Sequence, residues 1–354
     1  MSDWKNALRN VAEMTNDYIR RDDFPDGIEP DLLRDAVRAY PMMGGKRLRP
    51  ALVMWSCGLF GGDPAMALPA AASVEIYHNW TLVHDDIIDC DDMRRNQPAT
   101  HADLAAKART RYSLKQETAA KFGTDFAILA GDLQQAWSAN CMLKTDRDPR
   151  LLVFLSRKMQ EELGRDLISG EALDVAFEVR NDTITEAEVR TMIEGKTGAL
   201  FRFCVKTGAV IATNTPGFDT PEIQKIATYA GELAMAFQLR DDWLGIFGEL
   251  EKFGKPLCSD FQEGKPTLLY LAAYKNASPE EKEQLTSLLH RESYPPETVE
   301  EIRAILRKTG AEDAILDEIR TRSRNAAECL QGFPASVYRE LLAGLAEGLT
   351  VRTV

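Results

Sequence analysis

The chain has 354 residues, 44% of them hydrophobic, which is long enough to bury a large core. Its net charge of −12 argues against a nucleic-acid partner, because phosphate backbones are bound by basic faces. Six scattered cysteines without a CxxC pair predict reduced thiols in a cytoplasmic protein. The N-terminus has no apolar signal core. The sequence also has no run of about 18 apolar residues, so no membrane span is expected.

Helical periodicity runs along nearly the whole chain, and neither strand alternation nor a solenoid repeat stands out. Helices are expected to begin near Trp4, Pro50, Leu68, Pro221 and Pro279. Helices are expected to end near Pro41 and Cys90. We therefore expect an all-α fold with a single domain over residues 1–354. The polar, weakly periodic residues 102–120 are expected to form a mobile loop over a site.

An acidic cluster ends the helix expected before Cys90, in the stretch HDDIIDCDDMRRNQPATH. Asp85 and Asp89 are four residues apart and share a helix face, where like charges repel and oppose the helix dipole; Asp86 flanks them. Because the preceding segment is apolar, the cluster is expected to open into a cavity. Magnesium, which takes oxygen ligands and bridges carboxylates to phosphates, would balance the charge. A solvated acidic surface remains the alternative.

A second cluster, in FQLRDDWLG, repeats this layout and places Asp241 and Asp242 near the end of another apolar helix. Two such pairs predict that metal ions are held between them and clamp a polyanion. Basic residues that suit phosphate oxygens accompany glycines or follow these clusters: Lys46, Arg49, Arg94, Arg95, Lys196, Lys255 and Lys265. Each of them taken alone would be read as a solvated surface residue.

Two further motifs are weaker indications. The stretch EGKTG, residues 194–198, is not a P-loop, because Arg190 stands where that motif requires glycine and the surroundings are helical. Its Lys196 and Thr197 still offer an ammonium and a hydroxyl to a phosphate. His78 lies two helical turns before Asp85 on about the same face, although a lone helical histidine is usually a core residue.

The motifs GGKRLRP, HDDIIDCDDMRRNQPATH, GKTGALF, FQLRDDWLG and GKPLCSDFQEGKPT follow one another across residues 44–268. Together they resemble the trans-type polyprenyl diphosphate synthases, which include farnesyl and geranylgeranyl diphosphate synthases. The resemblance implies an all-α fold around a deep central cavity, usually as a homodimer. It also implies magnesium-dependent condensation of isopentenyl diphosphate with an allylic diphosphate: dimethylallyl, geranyl or farnesyl.

The resemblance also implies roles for individual residues. Magnesium would be bound by Asp85, Asp89 and Asp241, supported by Asp86 and Asp242. Isopentenyl diphosphate would be held by Lys46, Arg49, His78 and Arg95. The allylic diphosphate would be held by Arg94, Lys196, Lys255 and Lys265, with Thr197 and Gln238 near the reacting carbons. Three positions depart from the common family pattern: Gly245 replaces a third Asp, Glu171 a common Gln and Asn96 a frequent Gly.

Product length is expected to depend on Tyr77, Trp80 and Thr81, which precede Asp85 on its helix. The two aromatic residues are three apart and can form one floor that blocks elongation, although both could be ordinary core residues. The resemblance favours geranylgeranyl diphosphate as the product. A farnesyl diphosphate synthase and a non-catalytic subunit of a heteromeric synthase, suggested by Gly245, remain alternatives. A terpene cyclase is disfavoured because it needs no isopentenyl site.

Overall fold

The computed structural model describes residues 4–180, 183–248 and 257–351. The helices of the first part of the chain are α1 (Trp4–Arg21), α2 (Asp31–Met42), α3 (Leu48–Leu59), α4 (Leu68–Ile88), α5 (Thr100–Tyr112), α6 (Gln116–Leu143), α7 (Pro149–Lys158) and α8 (Arg165–Val179). The later helices are α9 (Glu186–Ile193), α10 (Ala199–Thr213), α11 (Pro221–Phe247), α12 (Ser259–Glu263), α13 (Leu268–Asn276), α14 (Pro279–Ser287), α15 (Pro296–Lys308), α16 (Ala311–Cys329) and α17 (Val337–Val351). The all-α fold is thus confirmed.

The described residues form two compact units. The first contains 4–158, 204–223 and 335–341, and the second contains the described parts of 159–203, 224–334 and 342–351. In the first unit, β1 (Met93–Arg94) and β2 (Gln97–Pro98) form a small antiparallel hairpin. The single domain over residues 1–354 and its central cavity stay predictions.

Helices α4 and α6 pack closely in the core of the first unit because small residues line their contact. Ala72, Ala127 and Ala130 are fully buried. The hydroxyl groups of Ser73 and Ser138 each donate a hydrogen bond of 2.8 Å to the other's backbone carbonyl, which satisfies buried polar atoms across the two helices. This contact fixes α4, and with it the acidic residues at its C-terminal end.

Pro41 lies inside α2, one residue before the helix ends at Met42. A proline has no N–H, so the carbonyl oxygen four residues earlier, that of Val37, loses its helical partner. The buried side chain of Gln134 on α6 donates a 2.9 Å hydrogen bond to this oxygen. The helix therefore ends near the predicted residue, and α6 compensates for the missing hydrogen bond.

The prediction of a mobile loop over residues 102–120 is wrong. The structure has α5 there, followed by the start of α6 at Gln116, with a short turn at Ser113 in the left-handed region at φ 54°. Leu104 and Ala108 are buried four residues apart on α5, and Ala119 is buried on α6. Because the contact is made largely by alanines, the hydropathy pattern is weak although the helices pack well.

The second unit has its own apolar core, which includes Phe177, Leu239, Phe261 and Ile302. Capping boxes begin two of its helices: Thr185 with Glu188 at α9, and Ser278 with Glu281 at α14. Within the described residues, no helix combines the length and apolarity that crossing a membrane requires.

Candidate active site

The C-terminal end of α4 carries the first acidic cluster. Asp86 has no exposed side-chain surface and accepts hydrogen bonds from the hydroxyl of Tyr40 and from Arg94, whose Nε lies 2.7 Å from Oδ1. Arg94 also lies 3.1 Å from Asp85 and 3.6 Å from Asp91. Burial raises the pKa of Asp86, while Arg94 and Tyr40 act in the opposite direction. Asp86 therefore supports the helix end, whereas Asp85 and Asp89 are less buried.

The hairpin after this cluster turns through Arg95 and Asn96, both in the left-handed region at φ 53° and 60°. Two such central residues are typical of a type I′ turn, and asparagine tolerates this conformation better than most residues. This explains Asn96 at a position where the related family often has glycine. Arg95 donates a hydrogen bond to the carbonyl of Gly44, so the hairpin contacts the GGKRLRP loop.

The GGKRLRP loop is anchored by Arg47, a residue that was not predicted from the sequence to be functional. Its buried guanidinium bonds to Glu75 on α4 at 2.5 Å, to the carbonyl of Pro41 at 2.6 Å and to Asn16 at 2.9 Å. The available signal was Glu75, an acid within the apolar stretch ASVEIY that needs a buried partner. Its neighbour Lys46 on the same loop is exposed.

His78 lies one helical turn after Glu75 on α4. Burial lowers its pKa well below the usual value, and Arg49, Arg95, Arg94 and Arg47 lower it further in that order. The imidazole is therefore neutral at physiological pH. The structure thus brings three predicted isopentenyl-site residues, Arg49, His78 and Arg95, into one electrostatic environment.

Two of the three predicted chain-length residues, Tyr77 and Trp80, pack against each other on α4. The rings of Tyr77 and Trp80 meet edge to face with centroids 4.8 Å apart, and Tyr77 is buried. The hydroxyl of Thr81 donates a 2.8 Å hydrogen bond to the backbone carbonyl of His78. The aromatic pairing is confirmed; its effect on product length stays a prediction.

In the second unit, the end of α11 carries Asp241 and Asp242. Thr197 donates a 2.9 Å hydrogen bond to Gln238, which donates one of 2.8 Å to Asp242. Burial raises the pKa of Asp242 well above its ordinary value, and the charge of Asp260 adds to this effect, against the hydrogen bond from Gln238. A cation would stabilise the ionised form of this carboxyl.

Gly245, at the position of the missing third aspartate, is buried, and its carbonyl accepts a 2.9 Å hydrogen bond from the backbone of Cys258. The backbone of Gly245 therefore pairs with the segment that follows α11. Lys255 lies outside the described residues.

Lys196 lies in a π-helical turn, Glu194–Gly198, that joins α9 to α10. Two glycines allow this turn to approach α8 closely: a Cβ on Gly170 would lie 2.2 Å from the backbone nitrogen of Lys196, and one on Gly195 would lie 2.7 Å from the carbonyl oxygen of Asp166. The turn connects two helices, which agrees with the exclusion of a P-loop.

Asp174 on α8 joins the two described lysines that were predicted to bind an allylic diphosphate. It lies 2.7 Å from Lys196 and 3.7 Å from Lys265. Lys196 also pairs with Glu171 at 2.9 Å, and Lys265 pairs with Glu263 at 2.6 Å. Asp174 was not predicted from the sequence; its position three residues after Glu171 on one helix was the available signal.

Each unit thus combines carboxylates with cationic side chains. Hard carboxylate oxygens suit magnesium, and arginine and lysine suit phosphate oxygens, so the donor set fits a magnesium–diphosphate ligand. The raised pKa of Asp242 supports this fit, because a group that resists ionisation gains most from a bound cation.

The polyprenyl synthetase family matches residues 30–306. A short chain isoprenyl diphosphate synthase of Methanothermobacter thermautotrophicus is 33% identical over 289 residues, which cover 82% of this chain and 81% of that protein. A geranylgeranyl diphosphate synthase of Saccharolobus solfataricus is 38% identical over 247 residues, covering 70% and 68% of the two chains.

Solved structures with a similar fold belong to enzymes of the same kind. A crystal structure of geranylgeranyl pyrophosphate synthase from Corynebacterium glutamicum, complexed with isoprenyl diphosphate and magnesium, matches with a TM-score of 0.84 at 27% identity, covering 99% of each chain. Enzymes of this family generally depend on magnesium. The chain belongs to the polyprenyl synthetase family and is a prenyltransferase.

Proposed function

We propose that this enzyme condenses isopentenyl diphosphate with an allylic diphosphate and releases geranylgeranyl diphosphate. The observation that carries the proposal is the repeated pairing of carboxylates with phosphate-binding cations: Asp85 and Asp86 with Arg94, and Asp174 with Lys196 and Lys265. Farnesyl diphosphate is the second candidate product. Dimethylallyl, geranyl and farnesyl diphosphates are the proposed allylic substrates.

Asp85, Asp89 and Asp241 would hold magnesium, with Asp86 and Asp242 as supporting residues. The bound ions would neutralise charge that develops on the departing pyrophosphate. Asp86 would act indirectly, because its oxygens already bond to Arg94 and Tyr40. Asp242 would act through its buried position beside Gln238.

Lys46, Arg49, His78 and Arg95 would bind isopentenyl diphosphate. The exposed ammonium of Lys46 and the arginines suit phosphate oxygens. A neutral His78 would donate one hydrogen bond without adding charge. The contact between Arg95 and the Gly44 carbonyl supports a single binding surface formed by the hairpin and the loop.

Arg94, Lys196, Lys255 and Lys265 would bind the allylic diphosphate, and Thr197 and Gln238 would lie near the reacting carbons. The C–O bond of the allylic diphosphate breaks, and pyrophosphate leaves with the electron pair. The double bond of isopentenyl diphosphate attacks the allylic cation to form the new C–C bond. Loss of one proton, to the departing pyrophosphate, restores a double bond. The chain's contribution is to stabilise the leaving charge and keep water away.

Tyr77, Trp80 and Thr81 would limit product length, since a packed aromatic floor resists additional methylene groups. The edge-to-face contact of the two rings supports this role, because it holds both in place. Removal of the Trp80 ring is expected to produce longer chains.

We also propose that the enzyme works in the cytoplasm as a homodimer. Ile128, Leu129 and Leu143 on α6 are exposed apolar residues that a second copy of the chain could cover. Sedimentation of the purified protein at micromolar concentration would reveal a monomer if this proposal is wrong.

Pyrophosphate release distinguishes this reaction from the alternatives. The proposal requires release only when magnesium, isopentenyl diphosphate and an allylic diphosphate are all present. Release from the allylic diphosphate alone would indicate a terpene cyclase. No release from the folded protein with any of the three allylic substrates would favour a non-catalytic subunit, the candidate that Gly245 supports.

A further inference from the structure

The imidazole of His84 on α4 approaches Gly131 on α6 with its Nε2 atom nearest. A Cβ placed on Gly131 would be 2.2 Å from Nε2 of His84, 2.7 Å from Cδ2 and 3.0 Å from Cε1. The three nearest atoms therefore all belong to one imidazole ring. The Nε2 atom lies 3.3 Å from the carbonyl oxygen of Ile128 and donates to it in the tautomer that carries a proton there. Because Gly131 has no side chain, it leaves the space that this ring occupies.

The other neighbour of His84 is Trp80. Their rings meet at an interplanar angle of 73° with centroids 5.9 Å apart, and Tyr77 meets Trp80 at 75° from a centroid distance of 4.8 Å. The indole N–H is buried and has no hydrogen-bond acceptor among the described residues. Edge-to-face packing by Tyr77 and His84 therefore positions this indole, without a polar anchor of its own.

We propose that Gly131 and His84 determine product length by fixing the position of the Trp80 ring. Gly131 seats the imidazole, and the imidazole supports one side of the indole. This inference rests on the proposed role of Trp80 as the floor of the product chain. It adds two specificity-determining residues, one of them on a different helix from the floor itself.

The test is the product distribution of purified variants with isopentenyl diphosphate, farnesyl diphosphate and magnesium, measured by mass. His84→Ala removes the supporting ring, and Gly131→Ala displaces it from its seat. Both should raise the ratio of products longer than the wild-type product by about two- to tenfold, which corresponds to the strength of one aromatic contact. A ratio of products is independent of the total rate, so reduced turnover alone does not imitate the effect.

The double variant Gly131→Ala/His84→Ala tests the order of action. Without the imidazole, the alanine at position 131 has lost the atoms it would clash with, so the double variant should match His84→Ala alone. An additive effect would mean that Gly131 acts through another contact. It would overturn the proposal that Gly131 acts on Trp80 through His84.

Gly123→Ala is the matched control on the same helix. Its Cβ would lie 2.2 Å from the carbonyl oxygen of His101 on α5, so it disturbs the packing of α6 without touching His84. Its product distribution should equal the wild type. Unchanged or shortened products from both His84→Ala and Gly131→Ala, with longer products from Trp80→Ala, would overturn this inference and leave the floor intact. Unchanged products from Trp80→Ala as well would overturn both.

Discussion

Arg47 and Glu75 form an ion pair that is almost completely closed to solvent: Nη1 lies 2.5 Å from Oε1, and the two side chains are 0% and 4% exposed. The pair joins the GGKRLRP loop to α4, the helix that also carries His78 and Asp85. It therefore links a loop proposed to bind isopentenyl diphosphate to the helix proposed to bind magnesium.

Glu75→Gln should destabilise the protein by about 3–5 kcal/mol, because it leaves the Arg47 charge buried without its counter-ion. If the variant folds at low temperature, a displaced loop should raise KM for isopentenyl diphosphate by about 10- to 100-fold. Chemical denaturation and steady-state kinetics measure the two effects. Glu29→Gln is the control, since Glu29 is 80% exposed and pairs with Arg34 at 3.5 Å; its cost should be below about 1 kcal/mol. A similar rise in KM for both substrates would argue against a specific effect on the loop.

Gly170→Ala should reduce turnover through the position of Lys196. The new Cβ would lie 2.2 Å from the Lys196 nitrogen, so the π-helical turn must move away from α8. We expect a cost of about 1–3 kcal/mol in stability and a higher KM for the allylic diphosphate. Gly27→Ala introduces no contact within 4 Å among the described residues and is the control. An unchanged allylic KM in a folded Gly170→Ala enzyme would contradict the proposed role of Lys196.

Asp85→Asn should lower kcat by about 10²-fold or more, because it weakens charge stabilisation at the leaving group. Excess magnesium should restore part of the loss if Asp85 is a ligand. Asp103→Asn on α5 removes a comparable carboxylate whose ion pair with Lys107 is exposed, and it should retain activity. Full activity of Asp85→Asn would remove this residue from the metal site.

The lowered pKa of His78 predicts a loss of stability at acidic pH. The unfolded chain binds a proton at His78 below a pH of about 6.5, whereas the folded protein resists it. The stabilising contribution is therefore present above that pH and is lost as the pH falls, at up to about 1.4 kcal/mol per pH unit. Denaturation curves recorded at several pH values between neutral and mildly acidic give the free energy of unfolding at each pH. This free energy should fall less steeply with decreasing pH in His78→Gln than in the wild type. Equal slopes for the two proteins would contradict the burial of a neutral imidazole.

The sequence predicts the all-α fold and both acidic motifs because repeated apolar positions and clustered charges are local signals. It wrongly predicts a loop from 102 to 120. Buried alanines there, such as Ala108 and Ala119, make helix contacts but give only a weak hydropathy pattern. It also misses Arg47 and Asp174. Both act through partners distant in the chain, Glu75 and Lys196, and only the folded structure brings these charges together.

The most direct measurement is the product formed from magnesium, labelled isopentenyl diphosphate and, in separate reactions, dimethylallyl, geranyl or farnesyl diphosphate. We expect turnover that requires magnesium and products that end mainly at geranylgeranyl diphosphate, identified by mass. No elongated product from any of the three substrates, with the protein shown to be folded by circular dichroism, would contradict the assignment of catalysis to this chain.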